Sequence, residues 1–508
     1  MRKASVVGVV GMVVMAGCAS TRGASPPAAS ATSSAGASAP IAAAPGTEDG
    51  ASQQASTATP SSATTGRPLA VVDGSSDAPA GAPGAWVGAS ADSDVMLARG
   101  GDAYVGVWVD VPESARARVR APVDLALVID TSGSMEGAKI EAARQSARTM
   151  VERLHDGDVV SIDTFSDQAR PLVAPVELTP RTRAHVLSAI AELATGGSTN
   201  LFDGLSLGEA HVAQADAHHP VRRIVLISDG EANVGPSSPQ ALGELASRSL
   251  MLGAQVTSLG VGLDYDERTL DAIAERTSGR LFHVGDPREM KETLEHEIDL
   301  LASTVADRAS LEVVPAPGVQ VTGVDGASME WASGGAVRIP LGTLFAGQHR
   351  EALVRVRVNP SDAGTQRALA SVRLVFRDPS EDDVERVQEV LARVSTTDDP
   401  AVAAAHPNAR THAMMATLDA AQTELQAAQA LGSGNYAQAQ SQLAATERSL
   451  RTQAAHTTDV VAKKRLEVAA QSVAAAHHRA AAAPSAAPAA VREDVLQMNS
   501  AGMKGMGY

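Results

Sequence analysis

Aromatic side chains are scarce: three Trp, four Tyr and five Phe among 508 residues. Hydrophobic residues nevertheless make up 44% of the chain, which at this length is ample for sizeable cores. Those cores must therefore be built from Val, Leu, Ile and Ala. Cysteine occurs once, at Cys18, so no disulfide can form within the chain. Basic charge is in deficit, with 42 Lys and Arg against 58 Asp and Glu and a net charge of −16. No basic stripe stands out, which sets nucleic acid aside. Long apolar runs are missing as well. Ala4 to Ala16 would span roughly 20 Å as a helix against roughly 30 Å of bilayer hydrocarbon, and no later segment is long and apolar enough to cross. Signatures of catalysis are absent too: Gly133-Ser134-Met135 is out of register with G-x-S-x-G, and His296-Glu297 lacks a second histidine at zincin spacing. With neither a P-loop nor a dinucleotide glycine pattern, the chain does not read as an enzyme.

The N-terminus runs MRKASVVGVVGMVVMAGC: two cations, an apolar stretch, then small residues before a thiol, which is the layout of a secretory signal. Met15-Ala16-Gly17-Cys18 resembles the lipobox of bacterial lipoproteins. That resemblance implies cleavage before Cys18, lipid on Cys18 and anchorage in the cell envelope. By the same resemblance, Ala19 in the following position implies the outer membrane rather than the inner. The alternative is a plain secretory signal with an incidental cysteine. Residues 19–85 are Ala, Ser, Pro, Thr and Gly with almost no large apolar side chain, so they read as a disordered tether.

Order is expected from about Trp86. DAYVGVWVDVP at 102–112 reads as a strand. From about Val123, apolar strands alternate with helices: DLALVI, DVVSIDTF, RRIVLIS, AQVTSLGV and RLFHV, with helices expected near 138–154, 181–193, 239–252, 267–277 and 289–301. Such alternation predicts a doubly wound, mostly parallel, Rossmann-like α/β sheet covered on both faces, over residues 123–303. After Ala306 the period shortens to two. In EALVRVRV, Val354, Val356 and Val358 face one way and Arg355 and Arg357 the other. Residues 86–122 and 304–400 are therefore expected to form one β-sandwich into which the α/β block is inserted. Residues 411–482 carry a helical stripe of Met414, Leu418, Ala421, Leu425 and Ala428, repeated by Leu443 and Leu450 after a turn at GSGN. An α-helical hairpin with a third helix is expected there, and 483–508 reads as a flexible tail.

The DLALVI strand ends on DTSGS, presenting Asp130, Ser132 and Ser134 at its carboxyl tip, where doubly wound sheets bind ligands. Two further loops should reach that edge: GGSTN with Thr199 before a helix, and SDGE with Asp229 after a strand. Two carboxylates and three hydroxyls, without Cys or His, are a hard-oxygen set suited to Mg²⁺, with Mn²⁺ also acceptable. An EF-hand loop starting at Asp130 is excluded because its sixth position is Met135 where glycine is required. His211, His218 and His219 show no carboxylate pattern around them and read as solvated.

DTSGS, GGSTN and SDGE in this order resemble the metal-ion-dependent adhesion site (MIDAS) of von Willebrand factor type A (VWA) domains. The resemblance covers about 123–301 and assigns the metal to Asp130, Ser132, Ser134, Thr199 and Asp229. It implies a protein ligand whose Asp or Glu completes the metal shell. The expected function is thus metal-dependent protein binding or adhesion by a lipid-anchored envelope protein. The alternative is a structural or scaffolding envelope lipoprotein whose metal site only stabilises the fold or is vestigial.

Overall fold

The computed structural model describes residues 71–72, 85–115, 120–216, 218–381 and 383–505. Cys18, the signal region and nearly all of the expected tether lie outside the described residues.

The α/β block is a six-stranded sheet in the order Arg280–Val284, Ala254–Val261, Val221–Ser228, Val123–Asp130, Val159–Phe165, Ala169–Glu177. The first five strands are parallel and the last is antiparallel. Val123–Asp130 is central and buried at all eight positions, which is why it reads as continuous apolar sequence. Its side chains alternate between two cores. Val123, Leu125, Leu127 and Ile129 meet the helices Ala138–Arg153, Pro180–Ala191 and Met290–Ala302. Ala126 and Val128 meet Leu201–Val212, Pro239–Met251 and Glu267–Arg276. The outermost strand Ala169–Glu177 carries Pro171 and Pro175, a composition that only an edge position tolerates and that hides the strand in the sequence.

Around this block lies a β-sandwich. Its four-stranded sheet is ordered Val319–Asp325, His349–Val358, Gly101–Asp110, Val87–Ala91. Gly101–Asp110, which precedes the block, pairs along its whole length with His349–Val358, which follows it. The α/β block is therefore inserted in the sandwich. The facing sheet contains Val384–Thr397, Gln366–Asp378, Thr304–Pro315 and Val337–Phe345. Val354, Val356 and Val358 are buried in the shared core, while Arg355 and Arg357 are exposed.

The C-terminal region is a bundle of four helices, Ala409–Gly432, Tyr436–His456, Val460–Ala482 and Pro488–Gly505. The fourth corrects the expectation of a flexible tail over 483–508. Pro488 is its first residue, where proline is compatible with a helix rather than a break. Gly502 lets it approach the first helix closely: a Cβ there would lie 2.8 Å from Leu425 Cγ and 3.0 Å from Ala421 O. Met498 enters the bundle core, and Leu496 enters a core of the α/β block. No helix among the described residues is long and apolar enough to cross a membrane.

Candidate metal site

The central strand stops at Asp130, fully buried, and the chain turns through a short 3₁₀ segment, Gly133–Met135, into the Ala138–Arg153 helix. Gly137 makes that entry with φ of 85°, a left-handed conformation that favours glycine. Asp130 uses both oxygens at once: Oδ1 accepts from the Ser132 amide at 2.8 Å and Oδ2 from the Ser228 hydroxyl at 2.7 Å. Ser228 ends the adjacent strand, so the two strand tips are tied side by side. Asp229, 1% exposed, follows it. Its Oδ1 accepts from the Ser134 hydroxyl at 2.7 Å, and its Oδ2 accepts from Lys139 Nζ. Ser132 Oγ and Ser134 Oγ are 3.1 Å apart.

The third loop is bound to the first by backbone hydrogen bonds, Gly133 N to Gly197 O at 3.1 Å and Gly196 N to Thr131 O at 2.8 Å. It is bound to the second by Thr199 N to Asn233 Oδ1 at 2.9 Å. Thr199 is 3% exposed, and its hydroxyl faces the same spot: a Cβ on Gly230 would lie 3.5 Å from Ser134 Oγ and 3.7 Å from Thr199 Oγ1. All five residues thus sit at one edge of the sheet, brought there by three loops.

The arrangement fits a small hard cation. Adjacent ligands of an octahedral Mg²⁺ with about 2.1 Å bonds lie about 3 Å apart, and the hydroxyl and carboxylate contacts here run from 2.7 to 3.1 Å. Among the described residues no group of three or more His, Cys, Asp or Glu is placed to hold a metal, so an ion at this edge depends on the hydroxyls. Burial pushes Asp130 above the usual carboxylate range, opposed by the Ser132 and Ser228 hydrogen bonds and reinforced by the charge of Asp229. A cation would act in the opposite direction.

Sequence reading missed Lys139 and Ser228. Lys139 lies five residues beyond Ser134 in the first turn of the helix, and Ser228 immediately precedes Asp229. The histidines also need correction. His218 is exposed, but His211 and His219 are buried. His211 Nδ1 lies 3.0 Å from Asp163 Oδ2, across the interface between the Leu201–Val212 helix and the Val159–Phe165 strand. His219 lies between Asp216 Oδ1 at 2.9 Å and the Gly157 carbonyl at 2.8 Å. The partner of His211 is 48 positions away, beyond the reach of a local pattern.

Residues 124–296 match the von Willebrand factor type A domain family. The α/β block is a VWA domain. An uncharacterised protein of Synechocystis sp. is 27% identical over 282 residues, covering 54% of this chain and 66% of its own length. YfbK of Escherichia coli, also uncharacterised, is 28% identical over 213 residues, 41% of this chain and 37% of its own. The chain therefore spans less than two thirds of either relative. Among solved structures, a von Willebrand factor type A protein from Catenulispora acidiphila superimposes with a TM-score of 0.66 at 16% identity, covering 82% of this chain and 96% of the other. That likeness establishes the fold.

Proposed function

We propose that this protein is a metal-dependent binding module in which Asp130, Ser132, Ser134, Thr199 and Asp229 hold Mg²⁺, or Mn²⁺ in its place. When bound, the ion supplies a Lewis-acidic point that takes an Asp or Glu carboxylate from a partner protein. The chain's own residues do the rest. Three neutral hydroxyls dilute the negative charge, and the loop-to-loop hydrogen bonds hold the cluster without reorganisation. The single observation that carries the reading is that three loops bring these five oxygen-bearing residues to one sheet edge, with the Ser132, Ser134 and Asp229 oxygens 2.7 to 3.1 Å apart. The lipobox-like tetrad supports the further proposal that lipid on Cys18 anchors the chain in a bacterial cell envelope, at the outer membrane rather than the inner.

A scaffolding role has one observation in its favour: the carboxylates of Asp130 and Asp229 are already satisfied by Ser132, Ser228, Ser134 and Lys139. Capture of partners from an envelope extract separates the two. Under the binding reading, chelator abolishes capture, as do Asp130→Ala and Thr199→Val in variants whose circular dichroism is unchanged. Capture that survives both treatments supports the scaffold instead.

A further inference from the structure

Asp229 divides its oxygens between two kinds of donor. Oδ1 accepts from Ser134 within the hydroxyl cluster, while Oδ2 accepts from the ammonium of Lys139. Among the described residues, Lys139 is the cation paired with a carboxylate of the cluster, and Asp130 has no ion-pair partner. The position of Lys139 is unfavourable for a cation in itself, because the first turn of a helix carries the positive end of its dipole. Gly262 stands close to the ammonium: a Cβ there would lie 3.6 Å from Nζ. The side chain is 27% exposed, so its charge is only partly screened by solvent.

Resting on the metal-binding reading above, we infer that Lys139 sets the charge a loaded cluster shows to an incoming carboxylate, weakening the hold on the ion and strengthening the hold on the ligand. Two carboxylates and one ammonium leave the cluster with one net negative charge. A divalent ion then makes it net positive by one, which attracts an anionic ligand. Without the ammonium the loaded cluster would be neutral. The ion would be held more tightly and would draw a carboxylate less. Even with water-like screening, a unit charge one carboxylate away from a divalent ion is worth about tenfold in affinity.

Titrating the full chain with Mn²⁺, with free ion followed by its electron paramagnetic resonance signal, gives the first constant. Titrating acetate into the loaded protein gives the second, read as the fall in water-proton relaxation when acetate displaces metal-bound water. Lys139→Gln is expected to bind Mn²⁺ about tenfold more tightly and acetate, which carries one charge against the ion's two, about threefold more weakly, while Lys139→Arg keeps both constants near the wild-type values. If Lys139→Gln moves neither constant, or moves both affinities the same way, while the wild type binds Mn²⁺, the inference falls and the metal site stands. If Lys139→Arg behaves like Lys139→Gln, packing rather than charge is responsible and the inference falls. If neither wild type nor variant takes up Mn²⁺, the metal-binding reading itself is overturned.

Discussion

Asp124 and Asp130 occupy the two ends of one strand, and their surroundings treat them differently. Asp130 has both oxygens hydrogen-bonded, whereas Asp124 Oδ2 is buried without a partner. Burial pushes Asp124 up to about 7, against the opposing pull of Arg222 and His219. A carboxyl whose folded pKa lies above its unfolded value of about 3.9 adds stability below that value, and the contribution is lost as pH rises to about 7. Asp124→Asn should therefore stabilise the protein by on the order of 2 kcal/mol at pH 8. The gain should disappear near pH 4, where the aspartate is neutral in the fold. Thermal denaturation at the two pH values checks this, and an equal shift at both would contradict it. Two buried aspartates on one strand thus differ: one is a local electrostatic cost, while the other is held by two hydrogen bonds at the candidate metal edge.

The helices and strands differ in how openly the sequence announces them, for identifiable reasons. The strand Val123–Asp130 and the Ala138–Arg153 helix are written in local periodicity, and the five oxygen-bearing residues are written in three short motifs, so both were legible. The edge strand Ala169–Glu177 was not, because its prolines oppose the usual strand composition. The fourth bundle helix was masked by the proline-bearing APSAAP segment before it, and its order comes from packing against distant residues. Lys139 was overlooked because its relation to Asp229 spans 90 positions. The fourth helix offers its own test. With Gly502 pressed against Leu425 and Ala421, Gly502→Val forces the helices apart and should cost about 1–3 kcal/mol. Hydrogen exchange should rise selectively over 488–505, and unchanged protection there would refute the close approach.

At the scale of the whole molecule, the bundle is joined to the sandwich by a charged seam. Arg410 of the first bundle helix pairs with Asp110 at 2.5 Å and lies 3.9 Å from the Trp108 ring centroid. Arg465 of the third bundle helix pairs with Glu351. Between them, His349 contacts Asp110 through Nδ1 and Glu351 through Nε2, the latter at 3.2 Å. Burial pulls the His349 pKa down, but the Asp110 and Glu351 hydrogen bonds outweigh it and the net shift is upward despite the charge of Arg465. The stability this histidine adds is thus full below about 6.5 and lost as pH rises through its higher folded value. Protection of the first bundle helix, corrected for intrinsic exchange, should fall as pH rises above about 6.5. His349→Gln should remove that dependence, and the same pH dependence in the variant would assign it elsewhere. The seam fixes the bundle to the sandwich, and the candidate metal edge belongs to the inserted VWA domain, so the central claim can be tested apart from the seam. Anomalous diffraction at the manganese edge from crystals soaked in Mn²⁺ is the most direct measurement. The expected result is one peak among the oxygens of Asp130, Ser132, Ser134, Thr199 and Asp229, and density that stays flat there while Mn²⁺ binds elsewhere, or not at all, would contradict it.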